Sequence, residues 1–232
     1  MTRAKPVVTI DGPAGAGKTT LARALAKVLD YFYLESGALY RAVALAALER
    51  GLDQDDEAAL AELVDRIKIE LRPDQGGLKV WLNGREASQA LRTEEVGQAA
   101  SAISKLGQVR SRLNELQRRM GAGGGVVVEG RDAGTVVFPQ AQVKFFLSAS
   151  LEERARRRRL QLAEQGQEAD LAEVMVHIEA RDRQDQTREL APLEPAPEAV
   201  IIDTTELSPD EVLTRMKDEI KKSLAKKSEA RD

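Results

Sequence analysis

Cysteine is absent from the 232-residue chain. A disulfide framework, a thiolate zinc site, an iron–sulfur cluster and a cysteine nucleophile are therefore excluded. Histidine occurs once, at His177, which argues against a multi-histidine metal centre or a serine–histidine relay. Its neighbours Val174 and Ile178 suit a helix, and no partner motif accompanies it, so it reads as a surface or half-buried side chain. There is no basic excess: 35 Lys+Arg against 38 Asp+Glu give a net charge of -3, which weighs against a general nucleic-acid binder. The longest apolar stretch, residues 42–48, is too short to span a membrane and reads as core. No apolar signal region follows Arg3 and Lys5 at the N-terminus. The expectation is a soluble, cytoplasmic protein without membrane or nucleic-acid partners. No dimer seam is visible, and a monomer is expected.

What is present is a strand–helix alternation. Residues 7–10 are β-branched and apolar, as a buried first strand requires. Residues 19–29 carry Leu21, Leu25, Val28 and Leu29 on one helical stripe. Residues 31–34 suit a second strand and 38–49 a helix that Gly51 stops. The middle has another texture. Residues 68–72 and 78–82 alternate, with turn chemistry between them and an Asn83-Gly84 hairpin signal after, which predicts a small antiparallel insert over about 63–92. A helical pattern starts at Thr93 and runs to 120, with Gly107 as a candidate break. The glycine run 121–125 reads as a flexible hinge-like loop. Residues 126–129, 143–147 and 199–203 supply three further strands; 151–165 and 170–184 supply two helices. Ser208, Pro209 and Glu211 open the last helix as N-cap, first and third positions, and its charged end over 221–232 is expected to fray. The predicted fold class is α/β: a five-stranded parallel sheet with helices on both faces, plus the antiparallel insert. The predicted parts are a core of 1–62 and 93–222, the insert, and a polar tail of 223–232.

Gly12-Pro13-Ala14-Gly15-Ala16-Gly17-Lys18-Thr19 matches the phosphate-binding P-loop pattern, between a strand and a helix. Its glycines let backbone N–H groups turn toward phosphate oxygens, and the helix N-terminus adds positive potential. Lys18 would reach the β- and γ-phosphates and the Thr19 hydroxyl would take Mg²⁺. A nucleoside triphosphate is the expected ligand. The Asn-Lys-x-Asp signal of Ras-type GTPases is absent. The strand over 126–128 ends in Glu129-Gly130-Arg131-Asp132, a poor match to the strand-end acid of motor and AAA-type ATPases.

Arginine is abundant instead. Nine arginines and one lysine, Lys144, lie between positions 131 and 188, and the guanidinium fork suits phosphate oxygens. Arg154, Arg156, Arg157, Arg158 and Arg159 crowd one helix, where like charges repel unless anions meet them. Arg181, Asp185 and Arg188 are spaced by four and three, which places a carboxylate between two guanidinium groups. A salt-bridged surface, with Glu152, Glu153, Asp182 and Glu189 as partners, is the plain alternative. Transfer between a triphosphate and a second phosphate gathers roughly six negative charges, which an arginine set of this size can balance. An ionised phosphate acceptor needs no strong general base, in keeping with the single histidine.

These residues resemble the bacterial cytidylate kinases, within the nucleoside monophosphate kinases, over nearly the whole chain. The likeness rests on the P-loop, on Glu35-Ser36-Gly37-Ala38-Leu39-Tyr40-Arg41, on Arg92-Thr93-Glu94-Glu95-Val96 with the run at 100–104, on the block from Gly130 to Pro139, and on Arg181, Asp185 and Arg188. The insert is also a feature of that family. The resemblance implies transfer of a phosphoryl group from ATP to CMP and dCMP, with Mg²⁺ as cofactor. It implies ATP contacts from the P-loop, Thr20 and Arg157, and catalytic roles for Lys18, Arg131, Arg158 and Arg188. Ser36, Tyr40, Arg41 and Arg131 would hold the acceptor phosphate, with Gly130 also at the substrate. Ser101, Arg110 and Asp132 would read cytosine, and Arg181, Asp185 and Arg188 would face the ribose and phosphates. The helix over 151–168 would form a lid. Cytosine chemistry agrees: an Asp accepts from the N4 amino group, whereas the O4 of uracil offers no proton. Three positions depart from the family pattern: Glu35 and Glu129 stand where Asp is frequent, and Ala133 where a bulkier residue is frequent. Ser101 and Arg110, nine residues apart, would lie on opposite faces of a straight helix and can meet one base only if the chain bends. Kinases for shikimate or dephospho-coenzyme A, a P-loop protein without turnover, and a polyanion binder built on residues 154–159 remain as alternatives.

Overall fold

The computed structural model describes residues 5–74, 77–164 and 166–229. A five-stranded parallel sheet is built from β1 (Val7–Asp11), β2 (Phe32–Glu35), β6 (Val126–Glu129), β7 (Val143–Ser148) and β8 (Val200–Asp203), in the order β2-β6-β1-β7-β8. A second sheet pairs β3 (Ile69–Asp74), β4 (Gly77–Leu82) and β5 (Arg85–Glu86) antiparallel. The helices are α1 (Lys18–Leu29), α2 (Ser36–Leu48), α3 (Glu57–Arg66), α4 (Glu94–Ile103), α5 (Gly107–Gly121), α6 (Leu151–Glu164), α7 (Leu171–Thr187) and α8 (Pro209–Glu229).

The β-branched inner strands β1 and β6 are buried on both faces because helices cover both, which is what a parallel sheet with crossovers requires. Val8, Ile10, Val127 and Val128 have no exposed surface. One core packs α1 and α8 against β1, β7 and β8; another gathers α2, α3, α4 and α5 with the inner residues of the antiparallel sheet. The apolar run of α2 is fully used there, with Ala42, Val43, Ala44 and Ala47 at zero exposure.

Most expected elements are present, and the differences have local causes. The break near Gly107 is real: α4 stops at Ile103, the Ser104 hydroxyl bonds back to the Ser101 carbonyl at 2.8 Å, and α5 begins at Gly107. Asn83 and Gly84 adopt positive φ and turn β4 into the short strand β5, as the hairpin signal at these residues anticipates. The glycine run is not a free hinge. Gly121 closes α5 against the Phe138 ring, and Gly125 N–H bonds to the Lys5 carbonyl at 3.1 Å. A side chain at Gly124 would fall 2.0 Å from that carbonyl oxygen, so the glycine answers a close approach rather than a need for motion. Helix α8 extends to Glu229; residues 230–232 of the expected tail lie outside the described residues, as do Gln75 and Gly76 of the expected turn, Gln165 at the end of the expected lid helix, and Arg3. Residues Ala133–Val137 form a π-helical turn that no periodicity announces.

Candidate active site

The P-loop joins β1 to α1 at the carboxyl edge of the sheet, the usual crevice for ligands in this class of fold. Gly12 has φ 146°, and a Cβ there would sit 2.1 Å from the Leu147 carbonyl oxygen. Gly15 and Gly17 also take positive φ, so the loop turns as the motif requires, while Pro13, Ala14 and Ala16 fill it. Lys18 is buried and its Nζ donates to the Pro13 carbonyl at 2.6 Å. Burial first, and then the charge of Arg131, hold its ammonium well below the ordinary lysine range. Thr19 and Thr20 are exposed at the start of α1.

Four of the five parallel strands end in acids at this edge: β1 in Asp11, β2 in Glu35, β6 in Glu129 and β8 in Asp203. The Glu129 carboxylate lies 3.1 Å from the Thr19 hydroxyl and accepts from the Tyr33 hydroxyl. Burial and the nearby Glu35 raise its pKa. Whatever the motif match at 126–132, β6 pairs directly with β1 and delivers the Glu129 carboxylate to the P-loop threonine. Asp11 accepts from the backbone N–H groups of Ala133 and Gly134 at 2.8 and 2.7 Å, and burial pushes its carboxyl up to about 6. It ties the start of the P-loop to the π-turn that follows Asp132.

The other expected site residues converge on the same edge from several elements. Ser36, buried, opens α2. A Cβ at Gly130 would stand 3.5 Å from both the Ser36 Cβ and Asp11 Oδ1. Arg41 reaches Glu35 at 3.5 Å. Tyr40 is buried, its hydroxyl pushed up to about 12 by burial, with the Arg110 guanidinium 6.0 Å from its ring. Arg110 and Asp132 form a buried ion pair, and Arg188 lies 3.7 Å from the other Asp132 oxygen. Arg131 binds Asp185 at 2.8 Å. Arg181 still reaches solvent, but dehydration in the cleft and the adjacent Arg131 pull its guanidinium down to about 10. The Ser101 hydroxyl accepts from Gln184 at 2.8 Å. Since α4 and α5 are separate helices, Ser101 and Arg110 need not point apart.

Two expectations about the arginines change. Arg181, Asp185 and Arg188 do not lie within one helix, although both guanidinium groups feel the charge of Asp185. Helix α7 ends at Thr187, so Arg188 turns off toward Asp132 while Asp185 serves Arg131. The crowded helix α6 is also not uniformly available. Arg154 is buried, pairs with Asp182, and donates to the Ala14 carbonyl at 3.2 Å. Arg156 is taken by Glu153. Arg157 binds Glu153 and the Thr204 carbonyl at 2.7 and 2.6 Å, close beside Gly17. Among the described residues Arg158 makes no ion pair and is exposed. Outside the site, His177 is exposed, and Trp81 packs in the antiparallel sheet under the Arg72 guanidinium at 4.2 Å. Asp11, Tyr33, Glu129, Asp182, Gln184 and Thr204 were not singled out from the sequence as site residues. Acids closing successive parallel strands are the signal that marks two of them.

A P-loop on a five-stranded parallel sheet, faced by a set of paired arginines, defines a P-loop kinase fold. The chain matches the family model described as cytidylate kinase over residues 8–222. It is 51% identical over 219 residues to a cytidylate kinase of a Geobacter species, covering 94% of each chain. It is 48% identical to cytidylate kinase 1 of Haemophilus influenzae, covering 89% of this chain and 90% of that one. Among solved structures, shikimate kinase from Bacteroides thetaiotaomicron aligns with a TM-score of 0.50 at 14% identity, covering 93% of this chain and 98% of that one, a likeness of fold alone. The chain belongs to the cytidylate kinase family.

Proposed function

We propose that the chain transfers the γ-phosphoryl group of ATP to CMP and to dCMP by in-line displacement, with the residues gathered at the carboxyl edge of the sheet in distinct roles. Family membership supports phosphorylation of CMP with ATP; the observation that carries the assignment of roles is the convergence of Arg110, Asp132, Arg131, Asp185 and Arg188 beside the P-loop. Gly12 to Thr19 and Thr20 cradle the donor phosphates. Lys18 spans the β- and γ-phosphates, and its lowered pKa reflects a buried cation that gains by meeting an anion. Arg157, between Gly17 and Thr204, borders the adenine side. Arg131, Arg41, Ser36, Tyr40 and Gly130 bind the acceptor phosphate. Arg188 and Arg158 balance charge as the phosphoryl group moves. Asp132, oriented by Arg110, accepts from cytosine N4, and Ser101 with Arg110 serves N3 and O2. Arg181 and Asp185 meet the sugar.

The donor set at the P-loop fits Mg²⁺. Thr19 Oγ1 and the Glu129 carboxylate are hard oxygens 3.1 Å apart, and magnesium in such sites takes one or two protein oxygens and completes its shell from phosphates and water. When bound, it neutralises charge on the β- and γ-phosphates. The acceptor phosphate is already ionised, so no side chain has to remove a proton. The arrangement works through position and charge. We propose the sheet and its helices as the core, residues 63–92 as the acceptor-side insert, and 151–168 as a lid that excludes water.

A coupled ADP-release assay with Mg-ATP against CMP, dCMP, UMP, AMP and shikimate tests this. Turnover with CMP and dCMP well above UMP is expected. Preference for UMP or AMP would overturn the base-reading residues, and no acceptor-dependent turnover would overturn the kinase reading.

A further inference from the structure

Glu35 and Glu129 are register partners at the ends of the adjacent parallel strands β2 and β6. Like charges set opposite each other destabilise a sheet unless something stands between them. Helix α1 answers each acid with a different residue one turn apart. Thr19 Oγ1 is 3.1 Å from Glu129 Oε2, and Arg23 Nη2 is 3.5 Å from Glu35 Oε2. Between the two acids stands the hydroxyl of Tyr33. It bonds to Glu129 Oε1 and lies 3.3 Å from Glu35 Oε2. The ring lies 5.4 Å from the Arg23 guanidinium, and the residue is 8% exposed. A phenol has one proton to donate, so it serves one acid at a time. Glu35 has Arg23 and Arg41 besides; among the described residues Glu129 has only Thr19 and Tyr33 as hydrogen-bond partners.

We propose that Tyr33 is a positioning residue of the donor site: its hydroxyl holds the Glu129 carboxylate against Thr19, so that both oxygens face the magnesium of the bound nucleotide. Glutamate carries one more rotatable bond than aspartate, so its carboxylate needs a second anchor to keep one orientation. Without that anchor Glu129 can swing to the neighbouring cation Lys18, whose charge it feels, and withdraw both groups from the nucleotide. Tyr33 would touch neither substrate and would act through Glu129 alone. The acceptor pocket of Asp132 and Arg110 would not sense its loss.

The proposal rests on Thr19 and Glu129 facing the metal, and the test separates the two ideas. Calorimetry would compare binding of ADP with Mg²⁺ and of ADP with excess chelator, in wild type, Tyr33→Phe and Glu35→Gln. Phenylalanine keeps the ring over Arg23 and removes only the hydroxyl. In Tyr33→Phe the Mg-ADP dissociation constant should rise about fivefold to twentyfold, the chelated value should stay within about twofold, and kcat should fall while the KM for CMP holds. Glu35→Gln, which leaves the Tyr33–Glu129 bond intact, should keep Mg-ADP affinity within about twofold. Equal losses with and without metal, or an equal loss in Glu35→Gln, would assign Tyr33 a purely structural part and overturn the proposal. So would unchanged Mg-ADP affinity in Tyr33→Phe. If wild type itself shows no metal dependence, the metal-facing reading of Thr19 and Glu129 fails first. Should Tyr33→Phe not fold, the Glu129→Gln variant offers the same comparison: magnesium dependence must fall there as well, and its persistence would overturn the proposal.

Discussion

Replacing Asp132 with asparagine separates stability from recognition. The Asp132 side chain is 7% exposed, and its partners Arg110 and Arg188 are 5% and 8% exposed, so water screens little of their interaction. Asp132→Asn leaves the Arg110 guanidinium enclosed without its anion. Breaking a buried pair in this way costs about 3–5 kcal/mol. In a chain of this size each kcal/mol lowers the melting temperature by about 2–4 °C, so a drop on the order of 6–20 °C is expected. Recognition changes separately. A hydrogen bond to a charged acceptor contributes about 1.5–3 kcal/mol, so loss of the charge facing cytosine N4 should lower kcat/KM for CMP roughly 10- to 100-fold. The asparagine amide can donate to uracil O4, so UMP should lose far less. The readout is the ratio of kcat/KM for CMP to that for UMP, taken well below the variant's melting temperature, beside a thermal melt. Equal losses for both nucleotides would refute Asp132 as the base reader. An unchanged melting temperature would refute the view that Arg110 depends on it.

Two neighbours on α6 should behave oppositely. Arg154→Ala leaves Asp182 buried and unpaired and should cost about 3–5 kcal/mol in urea denaturation, whereas Arg158→Ala should stay within about 0.5 kcal/mol of wild type. The second variant should nevertheless lose about 100-fold in kcat, and an unchanged kcat would remove Arg158 from the catalytic set. The carboxyl of Asp11 is raised from 3.8 to about 6, so the folded chain holds that proton more tightly than the unfolded one. Its contribution favours folding below pH 3.8 and is lost as pH rises through about 6, a change of about 3 kcal/mol. The unfolding free energy of wild type minus that of Asp11→Asn should therefore fall between about pH 4 and about pH 7, and a rise over that window would refute the assignment.

The sheet and the P-loop were legible because each carries a short-range code. β-branched runs mark buried strands, and Gly12 to Thr19 marks a phosphate-binding turn between a strand and a helix. The break at Gly107 could be argued because Ser101 and Arg110 could not otherwise meet. The partners of the α6 arginines were legible as a set, since Glu153 and Asp182 stood among the acids named for them, but not which arginine takes which acid. Five arginines crowd six positions, and only the packing of α6 on α7 decides that Arg154 finds Asp182 while Arg158 pairs with no acid among the described residues. The role of Glu129 depends on strand order: β6 lies beside β1 although 114 residues separate Asp11 from Val126 in the chain, and nothing local says so. The π-turn over Ala133–Val137 escapes because it has no periodic signature and depends on Asp11 capping it from another strand.

The guanidinium groups on the acceptor side of the site already have carboxylates: Arg131 has Asp185, Arg110 has Asp132, Arg41 has Glu35. Arrival of a phosphate at these groups is then an exchange of partners rather than the creation of an ion pair. The net gain is the difference between two attractions, and for a lone anion that difference is small. A free inorganic phosphate can compensate one arginine at a time and gains little from each exchange. A nucleotide meets several at once, with its base satisfying the Asp132 side as its phosphate meets the Arg131 side. The internal pairing thus filters ligands by how many exchanges they complete together, and it keeps a cleft rich in arginine from collecting every polyanion that passes.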